Sequence, residues 1–92
     1  MAKIPKPPPG KFLILYFASA AAYTQRSCDH LSAPYHLKDL YEFLELMYPG
    51  MELAVLRSCA VSVNLEYQNP QDATIVINEG DEVAIIPPVS SG

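Results

Sequence analysis

Basic residues are scarce in this chain. Its 92 residues include six Lys and Arg against ten Asp and Glu, a formal net charge of −4, whereas phosphate-backbone recognition needs clustered cations. That balance excludes nucleic acid as a partner class; an acidic surface suits a basic protein partner, through encounter and steering. Cysteine is rarer still. Cys28 and Cys59 are the two present, too few for a disulfide framework and short of the four thiolates of a plant-type iron–sulfur centre. They read as buried free thiols in a reducing compartment. No run of 18 apolar residues exists, so no transmembrane helix is expected. Lys3 and Lys6 are followed by prolines and not by an apolar segment, which argues against a secretory signal. The cytoplasm is the default location.

What is present fits one small domain, since a half-apolar chain of this length has no room for a second core. Residues 1–10, with Pro5, Pro7, Pro8 and Pro9, read as a flexible, polyproline-like leader. The domain is expected over 11–87 and an extended tail over 88–92. The piece Pro5-Lys6-Pro7-Pro8 matches an SH3-ligand pattern, as many linkers do.

Phe12 to Phe17 is a six-residue apolar run without alternation, the pattern of a strand covered on both faces. Ala18 to Tyr23 is alanine-rich and predicts a short helix ending near Thr24-Gln25. Ser27 to Leu31 follows as a second strand, a hairpin-like return on the first. Cys28, Asp29 and His30 are neighbours within it. Because consecutive strand residues point to opposite faces, a Cys28–His30 catalytic dyad is not expected, and the three read as strand filler.

Leu37, Leu40, Tyr41, Leu44, Met47 and Tyr48 recur at helical spacing and predict one amphipathic helix, with Asp39, Glu42 and Glu45 on its polar side and Pro49-Gly50 as its stop. His36, at its start, has no second ligand at metal-binding spacing, so no metal site is expected. Met51 to Leu56 suggests a further helical turn. Cys59 to Asn64 alternates as a half-buried strand does, with Val61 and Val63 against Ala60, Ser62 and Asn64. A short strand or turn follows at Glu66 to Asn69. Ile75-Val76-Ile77 then leads through a turn at Asn78 to Asp81 into the last strand, Val83 to Ile86, which again lacks alternation. Pro87-Pro88 cannot donate to a ladder and ends it.

The order β-β-α-β-β suits an α+β fold of the β-grasp type: a mixed sheet with the N- and C-terminal strands parallel at its centre and one main helix crossing one face. A split ferredoxin-like fold would need a second long helix. One helix covers one side of a sheet, yet the first and last strands are apolar on both; the outer faces of Phe17 and Ile86 therefore ask for a cover from outside the chain. Five residues from Pro88 to Gly92 reach at most roughly 16 Å when extended. Nothing there is bulkier than Val89, so the tail fits a narrow channel.

The run Gly80-Asp81-Glu82-Val83-Ala84-Ile85-Ile86-Pro87-Pro88-Val89-Ser90-Ser91-Gly92 resembles the C-terminus of the molybdopterin synthase small subunits, a family of ubiquitin-like (β-grasp) sulfur carriers. Their pattern is a Gly-Asp-Glu-Val-Ala turn and strand, two prolines, and a tail ending in Gly-Gly. The opening strand, Phe12 to Ala18, resembles the same family less specifically, and the likeness runs in order from Lys11 to Gly92. Ser91 stands where the family has its penultimate glycine; it restricts φ and adds a hydroxymethyl group beside the terminal residue.

The resemblance implies a chain that is not an enzyme by itself. Gly92 would be adenylated by an activating enzyme that uses ATP in trans, then converted to a thiocarboxylate that delivers sulfur to cyclic pyranopterin monophosphate. No cofactor bound by the chain is expected. The implied partners are that activating enzyme and the large synthase subunit, in a heterotetramer, with no nucleic acid and no membrane. Phe17, Tyr67, Ile86, Pro87, Pro88, Val89, Ser90 and Ser91 would form the partner contact. Another ubiquitin-like sulfur carrier or protein modifier, and a passive β-grasp interaction domain, are the alternatives.

Overall fold

Residues 6–88 are described by the computed structural model. Met1 to Pro5 of the expected leader, and Val89, Ser90, Ser91 and Gly92 of the expected tail, lie outside the described residues. The apolar run at the start forms β1 (Lys11–Tyr16) and leads into α1 (Ala18–Thr24), after which β2 (Cys28–Ser32) returns beside β1. A two-residue strand, β3 (Tyr35–His36), passes through a 3₁₀ segment (Leu37–Asp39) into α2 (Leu40–Met47) and a short α3 (Met51–Ala54). The chain then forms β4 (Ala60–Val63), β5 (Glu66–Gln68), β6 (Val76–Ile77) and β7 (Glu82–Ile86).

The main sheet has the order β2-β1-β7-β4-β5. β1 and β7 are its parallel pair, with Leu13 opposite Glu82 and Tyr16 opposite Ile85; every other neighbour is antiparallel. This is the mixed sheet with parallel central terminal strands that the β-β-α-β-β order suggests. The ferredoxin-like alternative falls because the other α-helices among the described residues are short, seven residues in α1 and four in α3. Backbone bonds lock both ends of the pair: Leu13 N–H donates to Asp81 O at 2.9 Å and Phe17 N–H to Ile85 O at 3.3 Å. The turn into β7 closes with Asp81 N–H on Asn78 O at 3.0 Å, and its third residue is Gly80 at φ 81°, a left-handed conformation that glycine adopts without strain.

Phe12, Ile14 and Tyr16 of β1, Val83 and Ile85 of β7, and Val61 and Val63 of β4 share one face and pack against Leu37, Leu40, Tyr41, Leu44, Met51 and Leu56. The helical stripe is thus real but shorter than its periodicity suggests. Its first turn is 3₁₀, and Met47, expected in the core, is 40% exposed because the helix ends beneath it at Tyr48 (φ −129°, ψ 80°). Glu45 links α2 to α3: its carboxylate accepts from the Gly50 and Glu52 N–H groups, each at 2.8 Å, which holds its pKa below the usual carboxylate range. At Gly50 a Cβ would lie 2.6 Å from the Tyr23 hydroxyl, which itself donates to Pro49 O at 2.7 Å. That close approach accounts for the glycine in the Tyr-Pro-Gly stop.

Three sequence readings need correction. Asp29 is not strand filler. It is buried, and its Oδ2 accepts from the Tyr16 hydroxyl at 2.8 Å and the Tyr48 hydroxyl at 2.6 Å, while Oδ1 meets Arg26 Nε at 2.9 Å. Cys28 and His30 do not point to opposite faces: two residues apart, they lie opposite Leu15 and Leu13 on one face, with no hydrogen bond between them. Both cysteines are half-buried and not buried. Cys59 Sγ donates to Val55 O at 3.2 Å, and burial raises its pKa.

Replacing Asp29 with Ala leaves the Tyr16 and Tyr48 hydroxyls without their acceptor inside a small core. We expect a loss of ~2–3 kcal/mol, a fall in Tm of about 10–15 °C for a domain of this size. Differential scanning calorimetry of Asp29→Ala measures it.

Burial, and then Asp29, raise the Tyr16 and Tyr48 phenols, Tyr48 to about 12; burial pushes Tyr41 up to about 12 as well. Since unfolded tyrosine ionises near pH ~10, the fold retains protons that the unfolded chain has lost. Stability is therefore full below about pH 10 and declines as pH rises through the folded pKa values. A Tm that stays level to about pH 10 and then falls toward pH ~12, alongside a late-titrating fraction of the six tyrosines in phenolate absorbance, is the expected result.

Candidate functional site

Among the described residues, no helix packs on the opposite face of the sheet. Register defines its rows: Cys28, Leu15, Ala84, Ser62 and Tyr67 run across β2, β1, β7, β4 and β5, and Ile86 and Ala60 form the next row toward the end of β7. This face is not bare throughout. Leu13, Ala84 and Ser62 are buried within it, and Ser62, expected on a polar side, sits between the central and edge strands where a small side chain fits. Exposure concentrates at its margins. Phe17 is 47% and Tyr67 72% exposed, with Ile86 half-buried.

Because β1 and β7 are parallel, they end at the same edge. Phe17 continues the alternation of β1 with extended backbone (φ −119°, ψ 150°) and stands next to the end of β7. Ala18 then turns at φ 48° into α1, a left-handed conformation that costs ~1 kcal/mol in a residue with a Cβ. The chain thus leaves the sheet sharply and Phe17 stays on the outer face. Tyr67 lies two strands from β7, roughly 10 Å away at the usual strand spacing. Phe17, Tyr67 and Ile86 therefore occupy one face. Pro87 is buried and Pro88 exposed, so the chain departs from the body between them.

The β4–β5 hairpin at the far end of this face was not singled out from the sequence. Asn64 and Leu65 form its two-residue loop, both with positive φ (50° and 71°), as type I′ turns require. Asn64 suits that position, and its side chain donates to Asp81 Oδ1 at 3.0 Å and accepts from Glu82 N–H at 2.9 Å. Leu65 has no such compensation: it is 88% exposed at a position where glycine is the favoured residue. The signal in the sequence was a two-residue gap between strands holding Asn followed by a non-glycine.

Among the described residues there is no group of three or more His, Cys, Asp or Glu able to hold a metal, and no helix long and apolar enough to cross a membrane. The site offers an apolar surface next to a departing chain end, with neither a nucleophile–base pair nor a phosphate cradle on it.

A mixed sheet with parallel central terminal strands, a helix layer on one side and a last strand that ends at Pro87-Pro88 beside an apolar outer face defines a ubiquitin-like β-grasp protein. Residues 14–92 match the ThiS family, and the chain belongs to that family. It is 54% identical over 89 residues to the molybdopterin synthase sulfur carrier subunit of Pyrenophora tritici-repentis, covering 95% of this chain and 96% of that one. Among solved structures, the putative molybdopterin converting factor subunit 1 of Pyrococcus furiosus has the same fold, with a TM-score of 0.71 at 20% identity over 86% of this chain and 98% of that one. A Helicobacter pylori complex of subunits 1 and 2 of the molybdopterin-converting factor contains a chain similar to this one with a TM-score of 0.64, at 20% identity, over 89% of this chain and 99% of that one.

Proposed function

We propose that this chain is the sulfur-carrier subunit of molybdopterin synthase, non-catalytic alone and charged with sulfur at Gly92. The observation that carries the reading is the common edge at which β1 and β7 end: Phe17 and Ile86 sit at that edge next to Pro87-Pro88, from which the sequence runs on to Gly92. The relatives' shared name and length support it, and the Helicobacter pylori complex supports a larger subunit as partner.

The chemistry follows from the end group. A carboxylate is a poor electrophile because its charge is delocalised over two oxygens. Adenylation by an activating enzyme, with ATP used in trans, gives the Gly92 carbonyl a good leaving group. A sulfur donor then displaces AMP, and the resulting thiocarboxylate is a strong nucleophile at neutral pH. Glycine suits the terminus because a Cβ beside the reacting carbon would obstruct both approaches. In the synthase the tail enters the large subunit, which supplies acid and base groups, and sulfur passes to cyclic pyranopterin monophosphate; two transfers build a dithiolene. No cofactor is bound by the carrier itself. The division into a leader over 1–10, a domain over 11–87 and a tail over 88–92 matches these roles. Half-buried free thiols fit a cytoplasmic setting, and the assembly with the large subunit is the heterotetramer that the family resemblance implies.

Incubation with activating enzyme, ATP and a sulfur donor should add about 16 Da, oxygen replaced by sulfur, confined to the terminal peptide by mass spectrometry. Deleting Gly92 should abolish that gain and leave the Tm unchanged. No gain in the intact chain would instead identify a passive interaction domain.

The surface has its own test. Phe17→Asp and Ile86→Asp should each weaken binding to the large subunit at least about tenfold, with a smaller effect on stability in calorimetry, since a charge at a desolvated contact is costly. A core role would show the reverse order of effects.

A further inference from the structure

We propose that Leu65 is a distal anchor for the large synthase subunit, presented from the tip of the β4–β5 hairpin at the opposite end of the open face from the tail. The inference rests on the carrier reading and extends its interface beyond Phe17, Tyr67 and Ile86. Three observations carry it. Leu65 occupies a left-handed position (φ 71°) in a two-residue turn, where a branched apolar residue is strained and glycine or asparagine is not. At 88% exposure, packing within the chain does not offset that strain. The turn beneath it is nevertheless held firmly, with Asn64 bonded through backbone and side chain to Asp81 and Glu82, so the leucine is displayed on a fixed support and not on a loose loop.

Dimensions favour the same partner over a separate one. A stable interface buries about 800 Å² per partner, a patch roughly 30 Å across if flat. The five residues of β7 span roughly 17 Å along the sheet, and five strands span roughly 20 Å across it. A standard-sized contact that begins at the tail edge is therefore large enough to reach the hairpin tip, and Tyr67 lies two residues from Leu65 on that path. An apolar side chain held out at the margin of such a contact is desolvated by the partner and by nothing else.

The test uses the full chain carrying Leu65→Asn and, separately, Leu65→Gly, with Phe17→Asp as a reference. Asparagine and glycine both accept a left-handed φ. Both Leu65 variants should keep or raise the Tm and bind the large subunit at least about fivefold more weakly by isothermal titration calorimetry. Unchanged affinity in both, with binding lost in Phe17→Asp, would overturn the anchor and leave the carrier reading standing. Wild-type affinity in Phe17→Asp as well would remove both. A marked fall in Tm for Leu65→Asn would mean that contacts within the chain hold the leucine, which also overturns the proposal.

Discussion

The parallel pairing of β1 with β7 is the constraint from which the other features follow. Two parallel strands cannot be joined by a hairpin, so the intervening chain must cross from one end of the sheet to the other; here that crossing contains α2 and α3 and builds the helix layer. The pairing also brings the two strand ends to one edge, where Phe17 N–H donates to Ile85 O, and the two strand starts to the other, where Gly80 N–H donates to Lys11 O and Gly10 N–H to Glu79. A slip of one residue in this register would turn one strand over relative to the other, exchanging the faces of Ile14 and Leu15 or of Val83 and Ala84 and exposing that strand's core side chains.

The two faces serve different ends. On the helix side every large apolar residue of the central strands is buried, and the one carboxylate that enters, Asp29, is satisfied by two tyrosines and an arginine from different elements. On the other side the central residues are small or shielded, and the large ones stand at the margins. The middle of this face is thereby withdrawn from water, while Phe17 and Tyr67 keep aromatic area exposed at its margins.

Much of this was legible in the sequence because its strongest patterns are periodic. Continuous apolarity in Phe12 to Phe17 and Val83 to Ile86 marked the central strands, and the spacing of Leu37, Leu40, Tyr41 and Leu44 marked the helix that covers them. Resemblance supplied Tyr67, which strand alternation alone would not have distinguished from any exposed tyrosine. Periodicity carries no information about isolated polar residues whose partners are distant in sequence, and so Asp29, bonded across 13 and 19 positions, read as filler. The small sheet of β3 and β6 went unseen because two-residue strands leave no pattern. Met47 was misplaced because spacing does not show that α2 ends with it, leaving the last helical residue at the margin of the core. Leu65 was missed because a leucine gives no hint of positive φ.

Pro87 and Pro88 together impose a rule on whatever receives the end of the chain. Neither imide has a hydrogen to give, so over these two positions the main chain can only accept. A receptor cannot seize this stretch by adding it as a regular strand to one of its own sheets; it must bring donors to the two carbonyls or rely on shape. The point of departure is thereby a poor template for β-pairing, with two successive positions that cannot donate to a ladder.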